Sequence, residues 1–273
     1  MCGRNNSHSG YASFVSGIAN TLSATPHGGN DRFGDAIFGE RNSVTPGRNV
    51  VGGVNNTITG ANNFVLGDSN KFAADNGAVF GGGNKVTTTN FPMACGYANT
   101  VNYTGGEIDA GLTGGSQNVV TGRSNFVHGL SNTVAGRNSF VIGQANILGG
   151  GPNNIVTGYN NRATGNYSGR LVGGGYWIDG SGAEQAEGGN VVQASSGIAW
   201  GYGNSVLQVD NGNNRGNGSV AIGDHNIVVG NENIAVGQQN DIGGSQCSAF
   251  GYGLYNRIAL NCMFAGSWND IPL

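Results

Sequence analysis

Gly218-Ser219-Val220-Ala221-Ile222-Gly223-Asp224-His225-Asn226-Ile227-Val228-Val229-Gly230 holds the pattern on which the whole chain is built. An apolar triplet runs into Gly, two polar residues and an Asn follow, and a second apolar triplet runs into the next Gly. Asn233-Ile234-Ala235-Val236-Gly237 repeats the half-unit. Outward from this stretch, glycines recur every seventh residue at Gly216, Gly223, Gly230, Gly237, Gly244 and Gly251. Gly122, Gly129, Gly136, Gly143 and Gly150 form a second unbroken run. Gly53-Gly60-Gly67 and Gly151-Gly158-Gly165 are shorter ones. A fixed short period of this kind is the mark of a repeat architecture.

Each unit reads G-x-x-N-x-[VIA]-x. The Asn falls at 56, 63, 70, 125, 132, 146, 154, 161, 226, 233 and 240. The apolar residue two further on is Ile58, Val65, Val127, Val134, Val141, Leu148, Val156, Val228 or Ile242. A coiled-coil heptad also has a period of seven, but it needs two apolar positions and no Gly in every turn. β-Branched triplets such as Phe64-Val65-Leu66, Phe140-Val141-Ile142 and Ile227-Val228-Val229 read instead as short strands closed by tight turns.

Alternation along a strand sends the middle residue of a triplet to one face and its neighbours to the other. The middle residue is nearly always Val, Ile, Leu or Ala and therefore faces a continuous interior. The neighbours differ from one triplet to the next: Thr57 and Thr59 precede Phe64 and Leu66, and Phe126 precedes Thr133 and then Phe140. The true repeat is thus about fourteen residues, two strands per coil, with coils stacked about 4.8 Å apart. The fold expected is an all-β parallel β-solenoid (a β-roll) over a single domain, residues 1–273.

One outer face is the greasier. Phe64, Leu66, Phe126, Phe140, Ile142, Val220, Ile222, Ile227, Val229, Ile234 and Val236 would form an exposed stripe, which marks an assembly surface. A homo-oligomer wound about a common axis is expected, and three chains close the narrowest ring. The recurrent Asn is read as a structural device that satisfies turn backbone groups and stacks from coil to coil. An Asn row that binds sugar is the other reading.

Composition agrees. Of 273 residues, 53 are Gly and 39 are Asn, both tolerant of positive φ. Charged residues make up 10%, against roughly 25% in ordinary domains. A net charge of −3 offers no footprint for nucleic acid. No apolar run nears the roughly 20 residues that cross a bilayer, so membrane insertion is not expected. Met1-Cys2-Gly3-Arg4-Asn5-Asn6 has no apolar core of a signal peptide. Cys2, Cys95, Cys247 and Cys262 lack zinc spacing, and the last two lie about one coil apart.

Interruptions of the period at 25–32, 102–115, 166–187 and 210–217 are expected to be loops on the coils, the usual seat of binding in solenoids. The region from Tyr167 to Tyr202 concentrates rings and carboxylates: Tyr167, Tyr176, Trp177, Asp179, Glu184, Glu187 and Trp200. Rings beside carboxylates suit a carbohydrate, and the same rings also suit packing within an oligomer. Residues 254–273 lose the period and read as a terminal cap.

The stretch 218–230, together with 233–237 and Ser139-Phe140-Val141-Ile142-Gly143, resembles the YadA-like head repeat of trimeric autotransporter adhesins. The resemblance implies a left-handed roll, a homotrimer, an extracellular setting and binding to host surfaces. Similar rolls occur in phage and viral fibres. The function expected is a phage or viral tail or surface fibre that binds a host-surface receptor, a glycan or protein, among other virion or surface proteins. A bacterial adhesin head is the alternative.

Catalysis is not expected, nor is a metal or cofactor. Glu107 with Asp109, and Glu184 with Glu187, are the only spacings that suggest a glycosidase pair, as in a polysaccharide-degrading tailspike. His8, His27, His128 and His225 stand isolated. An ice-binding face would need Thr-x-Thr in coil after coil, and Thr57-x-Thr59 is not repeated at that spacing.

Overall fold

The β-branched triplets do form strands, and all of their pairings are parallel. A computed structural model describes residues 1–9, 13–23, 34–45, 47–103, 111–164, 171–174, 189–194, 196–207, 218–256 and 260–267. Among these residues there are strands of two to six residues and no helix. They group into two compact units, Met1–Ser131 and Asn132–Leu273.

In the first unit, successive strands belong alternately to two sheets. One sheet carries Phe14–Ile18, Ala36–Glu40, Val50–Val54, Phe64–Asp68, Ala78–Gly82, Pro92–Tyr97, Gly111–Ser116 and Phe126–Leu130, preceded by Cys2–Arg4. The other runs from Ser7–His8 through Thr57–Thr59 and Lys71–Asp75 to Val119–Val120. Phe64, Val65, Leu66 and Gly67 pair with Ala78, Val79, Phe80 and Gly81, a step of fourteen residues. The second unit repeats the arrangement, with Phe140–Gln144 to Met263–Ser267 in one sheet and Thr133–Val134 to Tyr255–Asn256 in the other.

The middle residues form the core. Val15, Ile37, Val51, Val65, Val79 and Val127 of one sheet, and Leu22, Val44 and Ile58 of the other, are buried in the first unit. Val141, Val156, Ala221 and Ala235, with Val134, Leu148, Val228 and Ile242, are buried in the second. The inside-outside assignment made from alternation therefore holds. Phe72 is the largest side chain of this interior. Its space comes from Gly77, which stands where Asn63 stands one coil earlier: a Cβ there would lie 2.5 Å from the Phe72 ring.

The Asn and Gly of the repeat act as one device. Asn56 lies wholly inside the corner. Its main-chain N–H and its Nδ2 both donate to Oδ1 of Asn42, at 3.1 and 3.0 Å. Its own Oδ1 accepts the same pair from Asn70. Nδ2 also donates to the carbonyl of Gly67, one coil on, at 2.8 Å. That carbonyl can turn inward only because Gly53 has no side chain. A Cβ on Gly53 would lie 1.9 Å from the Gly67 oxygen, and its φ of 113° is a region L side chains rarely adopt. The residue before a ladder Asn usually takes the left-handed turn, as Ser69 does at φ 58° before Asn70.

An Asn stands before every strand of the second sheet but the last: 6, 20, 42, 56, 70, 84, 99 and 118 in the first unit, and 132, 146, 161, 190, 204, 226 and 240 in the second, where Leu254 then takes the place and its N–H donates to Asn240 Oδ1. The opposite corner is mixed. Asp35, Asn49 and Asn63 continue to Gly77, and Ser219 and Asn233 continue to Cys247.

Interruptions of the period leave these columns in step. Leu22 pairs with Val44, Ala163 with Val192 and Val206 with Val228, although twenty-two to twenty-nine residues separate them. The interruption read as 102–115 is shorter than expected, because Gly111–Ser116 is a strand whose inner position is Thr113, not an aliphatic residue. Likewise Leu171–Gly174, inside 166–187, is a strand paired with Ile155–Tyr159 and Ile198–Tyr202. In the terminal segment, Met263–Ser267 still pairs in register with Ser248–Tyr252.

Three consequences can be measured. Asn56→Ala removes the acceptor of two Asn70 donors inside the corner. At about 1–3 kcal/mol for each orphaned group, urea unfolding should show a loss of about 3 kcal/mol or more. Val228→Asp, which buries an unpaired charge, should lose several kcal/mol by the same measurement. Gly67→Ala should not yield soluble folded protein, since its Cβ would lie 1.8 Å from the Gly81 oxygen, whereas Gly82→Ala should fold, its nearest contact being 3.3 Å to the Tyr97 ring.

Candidate functional site

Two columns of side chains flank the buried column on the outer face of the sheet that contains Phe64–Asp68. In the first unit they include Phe14, Phe38, Phe64, Leu66, Met93 and Phe126, all exposed. Neighbouring coils touch diagonally through their rings. Phe14 meets Phe38 with centroids 5.4 Å apart, and Phe64 meets Phe80 at 5.6 Å, both tilted. In the second unit the columns include Phe140, Ile155, Trp200, Ile222 and Phe250. Burying the middle residue of each triplet obliges both neighbours to face outward, so a greasy stripe exists on this face, but Ile227 and Val229, read as part of it, lie on the opposite sheet, because alternate triplets of the chain belong to different sheets.

Trp200 is 46% exposed and belongs to this face. The sequence placed it in an irregular region, but it is the third residue of the strand Ile198–Tyr202, paired with Gly173 on one side and Ile222 on the other. Its ring lies over Gly173, where a Cβ would come within 2.1 Å of Cζ3. The same exchange of a glycine for a large neighbour occurs at Gly52 beneath Leu66 and at Gly114 beside His128. Tyr202, two residues further, packs edge-on against His225 of the next coil at 5.0 Å, and His225 Nδ1 lies 2.5 Å from the Asp224 carboxylate. Trp200, Tyr202, Asp224 and His225 thus place rings, a carboxylate and an imidazole on two adjacent coils. Sequence reasoning passed over Tyr202, Asp224 and His225 as a group because the second strand lies twenty-two residues beyond the first.

The other predicted ligand residues, Tyr167, Tyr176, Trp177, Asp179 and Glu184, lie outside the described residues. So do Glu187, Glu107, Asp109 and His27. Among the described residues no three His, Cys, Asp or Glu side chains gather as a metal site. The recurrent Asn of the second-sheet corner has the structural role, since its amide is spent inside the coil and presents nothing to a sugar.

The face of the opposite sheet is more polar in the first unit. Ser7, Thr21, Ser43 and Thr57 form one hydroxyl column, continued by Lys71 and Lys85 before Thr100. The column brings together hydroxyls that the interruption at 25–32 separates in sequence, but the two lysines break it.

No model of a known protein family matches the sequence, and no curated protein does either.

The Trp200 environment can be probed directly. Gly173→Ala should lift the ring from the sheet and shift tryptophan emission to the red. In a Trp200→Phe background the same glycine change should leave the emission unmoved.

Proposed function

We propose that the protein is a structural and adhesive fibre component, assembled as a homotrimer through the apolar columns and displayed outside a cell, on a phage or virus. The observation that carries this reading is the exposure of large apolar side chains in register from coil to coil, Phe126 at 37% and Phe38 at 46% among them. Continuous apolar patches of that kind belong to interfaces. A parallel sheet offers apolar rows along its outer face, and a closed ring of identical subunits satisfies every row at once. The likeness of Gly218–Gly230 to adhesin head repeats supports a left-handed roll and the same trimeric arrangement.

Receptor contact falls to the interrupted corners, because the large apolar side chains of the regular coils are used in assembly. Tyr167, Tyr176 and Trp177 supply stacking surfaces in this reading, Trp200 belonging to the apolar columns, and Asp179 and Glu184 accept hydrogen bonds from sugar hydroxyls.

Light scattering after gel filtration should give the mass of three chains. Phe126→Glu combined with Phe140→Glu should give monomers or aggregates, and a variant that stays trimeric would refute the assembly surface. Tyr176→Ala with Trp177→Ala should abolish binding to a glycan array or to host cells at unchanged mass. If binding persists and the trimer dissociates, these rings are packing residues.

A further inference from the structure

The mixed corner of the second unit ends in two cysteines. Ser219, Asn233, Cys247 and Cys262 occupy equivalent positions in successive coils. Asn233 N–H donates to Ser219 Oγ at 3.2 Å and Cys247 N–H to Asn233 Oδ1 at 2.9 Å. Ser248 N–H then donates to the Cys262 carbonyl at 2.8 Å, and Ser248 pairs with Met263. Cys247 and Cys262 therefore lie side by side at the corner, each immediately before one of two paired strands. Cys247 is wholly buried and Cys262 partly exposed. Each Sγ sits by the carbonyl two residues back, 3.5 Å from Ser245 O and 3.2 Å from Leu260 O.

At this rung the amide ladder weakens, because a thiol is a poorer acceptor than an Asn Oδ1; Cys247 Sγ accepts the Asn256 amide at a long 3.8 Å. Equivalent Cα atoms of neighbouring parallel strands are about 4.8 Å apart, inside the range of roughly 4.4–6.8 Å that a disulfide spans.

We propose that Cys247 and Cys262 form a reversible disulfide that clamps the strand Met263–Ser267 to the coil before it. With a small-molecule disulfide such as oxidised glutathione as oxidant, the Cys262 thiolate attacks one glutathione sulfur and expels a glutathione thiolate. Cys247, deprotonated, then attacks Cys262 Sγ in the mixed disulfide and expels the second. Two S–H bonds are lost, one S–S bond forms, and both electrons and both protons leave as two reduced glutathione molecules. Cys262, the more accessible thiol, is the entry point. Its pKa is raised by desolvation first and then by its neighbour Cys247, so the clamp closes faster as pH rises through the thiol range.

The test uses the full chain with Cys2→Ser and Cys95→Ser, which leaves only the pair, equilibrated in glutathione redox buffers. Peptide mapping should find Cys247 joined to Cys262 within one chain, formed faster at alkaline pH and reopened by reduced glutathione. Amide exchange over Met263–Ser267 should slow by about a hundredfold, the loop-closure value for a ring of this size. A product that stops at a glutathione adduct on Cys262, a disulfide between chains, or a bond formed only in urea would each overturn the proposal. So would unchanged exchange in the oxidised form. Cys262→Ser, checked for native circular dichroism, should leave Cys247 unmodified by glutathione. Ready modification of Cys247 in that variant would also refute the proposed order.

Discussion

Everything in these coils depends on how a carboxamide is used where water is excluded. A parallel sheet satisfies its own backbone, but a coil must turn twice in every fourteen residues, and each turn leaves donors and acceptors facing inward. The buried Asn answers with an acceptor for the next main-chain N–H and the next amide, and with donors for the preceding amide and a glycine carbonyl. Such chains of bonds polarise one another and are strongest in low dielectric. They are also unforgiving, since a missing member strands its neighbours' groups. Gly is the other half of the same bond, for its carbonyl can face the amide only if the glycine one coil earlier has no Cβ. Neither residue can be replaced without the other losing its purpose, which is why they recur together as G-x-x-N.

That coupling explains what could be read without coordinates. The interior was legible because alternation is a strict geometric rule, and Val141 and Val228 are buried as the rule demands. The role of Asn was legible because a residue repeated in every coil serves the coil. Two strands were hidden for a physical reason. Gly111–Ser116 places Thr113 in the core, and Leu171–Gly174 is cut off from the regular glycine spacing on both sides. The register is likewise invisible wherever coils lengthen. Neither the hydroxyl column from Ser7 to Thr57 nor the neighbourhood of Trp200, Tyr202 and His225 can be assembled until strands twenty-two residues apart are known to pair. The left-handed residue before the Asn also escaped, because Ser, Asn, Gln, Glu, His, Arg and even Ala fill it. The turn is imposed by the ladder and not chosen by that residue.

The two corners of the coil divide the labour. Where the Asn column runs unbroken from Asn6 to Asn118 and again from Asn132 to Asn240, the chain has a spine that permits little choice. Where the column is mixed, with Asp35, Gly77, Ser219 or Cys247 in the same position, the packing adjusts, as Gly77 does for the Phe72 ring. The outer faces are freer still. On the Phe64 face, large and small residues trade places between adjacent coils, Trp200 over Gly173 and Leu66 over Gly52, so that the surface stays apolar while its relief changes. A surface with constant character and variable relief suits self-assembly between copies that carry the same relief.

The in-step pairing across lengthened coils has a further meaning. Leu22 meets Val44 and Ala163 meets Val192 as if nothing lay between, so the chain measures itself in turns rather than in residues. A segment added at a corner changes neither the registry of the hydrogen bonds nor the sequence of rows on either face. Novelty can therefore enter such a protein by insertion, the kind of change most folds tolerate least. Selection on what the corners carry can then proceed almost independently of selection on what holds the coils together.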